Sequence, residues 1–128
     1  MCKALEYNQN RIERFDRDSV VSAKTWQAAL KAAGCAVRAA DAIMEGTVKN
    51  AFCAIRPPGH HAGVYGRTIH EDRDPCAGEM THGFCYLNNV AITAAYLKTF
   101  YRKQIKKVAI VDFDVHHGNG TQEIIECL

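Results

Sequence analysis

The stretch "VAIVDFDVHHGNGTQ", Val108 to Gln122, sets an apolar, β-branched run directly before two aspartates and two histidines. Such a short apolar run predicts a buried strand. Successive strand side chains point to opposite faces, so Asp112, Asp114 and His116 project the same way at steps of two. A buried strand ending in groups that bind metals or move protons points to a site rather than to a solvated turn.

Working outward, "DVHHGNG" reads as a loop and "TQEIIECL" as the start of a helix. Upstream, "NNVAITAAYLKTFY" predicts a helix with Val90, Ala94, Leu97 and Tyr101 on one side. "NAFCAIR" is a short buried strand running into Pro57-Pro58, which forbid helical continuation. Trp26, Ala29, Leu30, Ala33, Val37, Ala40 and Met44 recur at three and four, predicting a long amphipathic helix with Ser22 as cap and Gly46 as stop. Residues 1–21 read as an irregular lead-in. Gly59 to His82 is long, aperiodic and rich in glycine and charge, the kind of loop that is usually functional.

The order helix, strand, loop, helix, strand, helix predicts an α/β fold with a central parallel sheet between layers of helices. Ala51–Ile55 and Val108–Asp112 are the expected parallel strands. Ligands bind beyond the carboxyl ends of such strands. Both polar clusters, "RPPGHH" and "DFDVHHGNG", fall there, so His60, His61, Asp114 and His116 should converge.

Composition narrows the function classes. The chain has 128 residues, 48% hydrophobic and 23% charged, which fits one globular domain with a small core. A net charge of +2 is too mild for a nucleic-acid binder, and the basic cluster Tyr101–Lys107 reads as a solvated helix end. No run approaches the ~18 apolar residues of a membrane span, and the start shows no signal peptide. A soluble, intracellular protein is expected. The six cysteines form no C-x-x-C pair, which favours a reducing compartment over a cysteine zinc site.

Asp114 and His116 offer one oxygen and one nitrogen donor. A catalytic zinc takes three protein ligands and keeps one position open, so a third must come from elsewhere. Asp112 suits an orienting role, accepting an imidazole N–H. His60 and His61 follow a rigid Pro-Pro-Gly turn, and histidine is suited to proton transfer near neutral pH. Together these groups describe metal-assisted hydrolysis.

"RPPGHHAG", "GFCYLNNVAI" and "VDFDVHHGNGTQ", preceded by "TWQAALKAAG", resemble the zinc-dependent histone deacetylase family. "RPPGHH" and "HHGNGTQ" are similar to its class II branch. The resemblance implies a three-layer, arginase/deacetylase-like fold, incomplete here, with residues 1–128 as an N-terminal portion of the catalytic domain. It implies Asp114 and His116 as two of three zinc ligands, and His60 and His61 as the tandem histidines that move protons at the attacking water. It makes Asp112 the partner of His60 and part of a structural monovalent cation (K⁺) site. Asn119 should face His61, orienting the ring without stabilising its positive charge as a carboxylate would. Gly83 and Phe84 match the wall of the acyl-lysine tunnel, and Asp18 a rim position that grips substrate backbone.

The implied activity is zinc-dependent hydrolysis of acetyl-lysine on histones or other proteins, in the nucleus or cytoplasm, with a corepressor-type complex as further partner. No contact with nucleic acid or membrane is implied. The family's third zinc ligand and its transition-state tyrosine or histidine match nothing in these residues, so the chain by itself is expected to be inactive. A non-catalytic remnant serving as a binding module is the alternative. A haloacid dehalogenase-type phosphatase would also end a strand in D-x-D, but wants Thr or Val where His116 stands. The segment "VYGRTIHEDRDPCAGEMT" departs from many relatives, and His70, Cys76 and His82 in or beside it fit no common metal spacing.

Overall fold

The alanine-rich run forms helix α1, Thr25–Met44, in a computed structural model that describes residues 13–14, 16, 19–67 and 82–127. Alanine loses least on entering a helix, and Ala29, Ala32, Ala33 and Ala40 make up most of the buried face. Ser22 does not cap this helix as expected. Thr25 reaches back instead, its Oγ1 accepting the Ser22 backbone N–H at 2.8 Å, and the N-cap falls on Lys24. Gly46 does stop the helix. It takes φ +75°, a left-handed conformation that costs glycine little. Its N–H donates to the Ile43 carbonyl, and that of Thr47 to Ala42, both at 3.0 Å; this is the Schellman ending, which reverses the chain.

Helix α2, Asn89–Phe100, packs on α1. Between them lies Asp41, a buried carboxylate of α1. Its Oδ1 accepts the hydroxyls of Tyr96 at 2.8 Å and Tyr101 at 3.0 Å, and its Oδ2 the Arg38 guanidinium at 3.1 Å. The Tyr96 bond is the main cause holding the Asp41 carboxyl below its ordinary range. The same bond pushes the Tyr96 hydroxyl up to about 12. The Asp41 contribution to stability is therefore present above its unfolded pKa and fades as pH falls through the lower folded value. That of Tyr96 is complete below its unfolded value near 10 and is lost as pH rises towards about 12. Thermal melts followed by circular dichroism should show Tm falling across that alkaline window, and falling less steeply in Tyr96→Phe.

Helix α3, Asn119–Glu126, opens two residues earlier than Thr121 and lies on a short antiparallel hairpin of β3 (Ala62–Gly63) and β4 (Gly66–Arg67). A second hairpin pairs β1 (Glu13–Arg14) with β2 (Val20–Val21). Val21, Ala29 and Tyr86 form a small apolar cluster, with Trp26 and Leu87 against it. No helix among the described residues is long and apolar enough to cross a membrane.

The expected strands Ala51–Ile55 and Val108–Asp112 carry no ladder, and the two hairpins are the sheets among the described residues. The central parallel sheet is thus not formed there. Burial still alternates at period two: Cys53, Ile55, Val108 and Ile110 are half-buried, while Phe52, Ala54, Ala109 and Val111 are exposed. The strand pattern is in the side chains, but a strand also needs a neighbouring backbone to accept its hydrogen bonds. Neither segment has one among the described residues. Phe52 is 94% and Phe113 95% exposed, unusual for side chains that are ordinarily buried.

Candidate active site

The loop carrying the two histidines is held from outside by two adjacent asparagines. Asn89 donates from Nδ2 to the Pro57 carbonyl at 3.1 Å. Asn88, 4% exposed, caps α2 by accepting the Ala91 N–H at 3.1 Å. Its Nδ2 donates to the Ala62 carbonyl and to Thr121 Oγ1, each at 3.0 Å. The Thr121 N–H in turn donates to the His60 carbonyl at 3.0 Å, so α3 starts directly on the histidine loop. Asn88→Ala would strip partners from several buried polar groups at once, each costing about 1–3 kcal/mol. Urea unfolding should show a loss of roughly 2–4 kcal/mol with an unchanged m-value.

From this scaffold the polar side chains meet. His60 Nδ1 lies 2.8 Å from Asp112 Oδ2. A carboxylate can only accept, so the ring N–H donates. Burial opposes ionisation of Asp112, but the His60 bond and the Asp114 backbone N–H at 3.1 Å outweigh it and hold the carboxyl below its usual range. His61 Nδ1 lies 2.6 Å from Asn119 Oδ1. With the amide oxygen facing it, Nδ1 carries the proton and Nε2 is the nitrogen able to accept one. The His60 and His61 rings are 4.1 Å apart between centroids, and His116 lies 6.1 Å from His61.

Asp114 Oδ1 accepts both the backbone N–H of His116 at 2.7 Å and its ring Nδ1–H at 2.9 Å. These bonds, the backbone one first, lower the Asp114 carboxyl from its ordinary value. His60 Nε2 is 4.0 Å from the same oxygen. The ends of the two extended segments thus bring His60, His61, Asp112, Asp114, His116 and Asn119 to one place. Beside them opens a hollow of about 350 Å³ lined by residues that include His60, Ile110, Asp112 and Asp114.

Asp114 and His116 have suitable donors for a metal such as zinc, one oxygen and one nitrogen held against each other. The count falls short, because among the described residues no group of three His, Cys, Asp or Glu is placed to hold a metal. The pair therefore fits as part of a site.

Gly83 takes φ +52°, and a Cβ there would run into the His61 ring. Phe84 follows with φ +63°, a conformation rare for a non-glycine residue. It is 48% exposed rather than packed in the core, with the Arg56 guanidinium 5.8 Å over its ring. Phe84, Arg56 and Tyr86 line a cleft of about 300 Å³. Asp18, His70 and Cys76 lie outside the described residues. Asp16 is described, and it accepts the Ser19 N–H at 2.7 Å and the His82 N–H at 2.5 Å, fixing the segment that leads into Gly83.

Sequence reasoning missed Asn88, Asn89 and Asp16. For Asn88 a signal was present: an asparagine directly before an apolar helical run is a cap pattern. Its second role, reaching Ala62 and Thr121, is a long-range contact that no local pattern carries.

A conserved-domain model described as histone deacetylase domain matches residues 1–127. The chain is 47% identical over 108 residues to type-2 histone deacetylase 2 of Dictyostelium discoideum, covering 84% of this chain and 6% of that protein. It is 42% identical over 107 residues to acetylpolyamine amidohydrolase of Mycoplana ramosa, covering 84% of this chain and 26% of the relative. The crystal structure of the HDA15 HD domain superposes with a TM-score of 0.76 at 40% identity, covering 97% of this chain and 31% of that one. Fold and polar centre are those of an amide hydrolase of the deacetylase type. The chain belongs to the histone deacetylase family. It spans well under half the length of these relatives.

Proposed function

We propose that residues 1–128 form an N-terminal portion of a class II-like, zinc-dependent protein lysine deacetylase, with acetyl-lysine of histones or other proteins as substrate. The observation that carries this reading is the unequal pairing of the tandem histidines, a carboxylate on His60 and an amide on His61. When bound, zinc would polarise the amide carbonyl and acidify water. Asp114 and His116 would hold it, with a third donor from outside these residues.

The chain's own groups divide the proton work. Asn119 orients the His61 ring so that Nε2 takes the proton of the attacking water. Asp112, ionised at neutral pH, compensates positive charge on His60, which suits that ring to hand a proton to the departing lysine amine. Phe84 and Gly83 would flank the apolar stem of the acyl-lysine, and Asp18 would grip the substrate backbone at the rim. Asp112 would also help hold a monovalent cation, K⁺. A parallel sheet, the nucleus or cytosol as location and a corepressor-type complex as partner belong to the same reading.

The test is release of acetate from an acetyl-lysine peptide by the full natural protein, abolished by a zinc chelator and restored by zinc. Activity unaffected by chelation would refute it. The 128 residues alone should bind zinc only weakly, since zinc sites ordinarily take at least three protein ligands. Calorimetry showing a tight one-to-one zinc site, lost in Asp114→Ala, would mean that the chain supplies its own third donor.

A further inference from the structure

Two thiols away from the histidine centre are brought together by the reversal at Gly46. The Thr47 and Val48 amides both donate to the Ala42 carbonyl, at 3.0 and 3.3 Å, so the chain leaves the turn running back along α1. Cys35 lies seven residues before Ala42, roughly 10 Å along the helix. Cys53 lies five residues beyond Val48, at most roughly 17 Å along an extended path. The inward side of that segment is set by its alternation, Cys53 and Ile55 half-buried and Phe52 and Ala54 outward. The Cys53 thiol therefore faces α1, within hydrogen-bonding reach of the Cys35 thiol. Both are free thiols, and Cys35 is exposed.

We propose that Cys35 and Cys53 form a redox-sensitive dithiol, closed to a disulfide by peroxide and reopened by thiol reductants. The Cys35 thiolate attacks one peroxide oxygen, breaking the O–O bond; this gives a sulfenic acid, and the second oxygen leaves as water. The Cys53 thiolate then attacks the Cys35 sulfur, the S–S bond forms and a second water departs. Two thiols are oxidised by two electrons in total and one peroxide is reduced. The order follows from access. Burial first, and then the neighbouring Cys35, push the Cys53 thiol above its ordinary range, so the exposed thiol reacts first and the sheltered one resolves it. Cys85 makes a contrast: it is 1% exposed and donates to the Gly83 carbonyl at 3.4 Å. The closed bond would anchor to α1 the segment that delivers His60 and His61.

The experiment treats the full-length protein with hydrogen peroxide, blocks remaining thiols with an alkylating reagent and digests it with trypsin without reduction. Cleavage isolates Cys35 in the peptide spanning 32–38 and Cys53 in that spanning 50–67, because Arg56 precedes proline. The expected product is one cross-linked species of these two peptides, lighter than their sum by two hydrogens and abolished by dithiothreitol. In Cys53→Ser it should vanish, with Cys35 accumulating as sulfenic or sulfinic acid. Recovery of both peptides unlinked from the oxidised wild-type protein would overturn the proposal. So would pairing of either cysteine mainly with Cys2, Cys76, Cys85 or Cys127.

Discussion

In the full natural protein, His61→Ala should lower kcat for an acetyl-lysine peptide by about 10²–10⁴, the range for loss of a positioned general base. Zinc content should stay unchanged, because His61 faces Asn119 at Nδ1 and is assigned no ligand role. Metal analysis beside the kinetics separates the two. Loss of zinc together with activity would make His61 a ligand and overturn the division of roles. Asn119→Asp adds a finer check. A carboxylate in place of the amide would favour a protonated His61, so the acidic limb of the kcat/KM profile should move to higher pH. A variant with only a packing defect would lose rate without that displacement.

The second large effect concerns the 128 residues by themselves, which should release no measurable acetate. Two donors, Asp114 and His116, leave the metal poorly fixed, and none of these residues is assigned to the developing oxyanion. Loss of oxyanion stabilisation alone is typically worth ~10²–10³ in rate, and an unfixed metal should cost more. Supplying the remainder of the natural protein should restore zinc-dependent turnover. Ordinary turnover by the isolated 128 residues would remove the premise that a third donor comes from outside them.

How much of this was legible in sequence depended on whether the determining contacts are local. Helix α1 was readable because its apolar positions and its stop at Gly46 belong to one continuous stretch. The cap was misassigned because Ser22 and Thr25 both qualify by residue type, and only geometry decides which side chain turns back. The two strand segments kept their period-two burial, yet a ladder depends on a neighbour that neither segment names. At the site, His60, His61, Asp112, Asp114, His116 and Asn119 were marked by motif and spacing, and the structure brings them together. Their support was not marked. Asn88 joins Ala62 to Thr121 across sequence gaps that no periodicity spans, and Asp16 reaches His82 in the same way.

The Asn88 knot bears on when, during synthesis, the histidine loop acquires its shape. Its partners, Ala62, Ala91 and Thr121, all precede residue 122, and none of its bonds needs a sheet. The loop can therefore settle on α2 and α3 as soon as those helices clear the ribosome, ahead of any strand pairing with later segments. Local units of this kind open as units in native-state hydrogen exchange. The Thr121 and Ala91 amides should accordingly exchange slowly and at matched rates, while the amides of Phe52 and Val111 exchange freely until neighbouring strands cover them. A nascent chain stalled shortly after α3 emerges would carry a preset catalytic loop beside an unfinished sheet, which would fit it as an early client for chaperones.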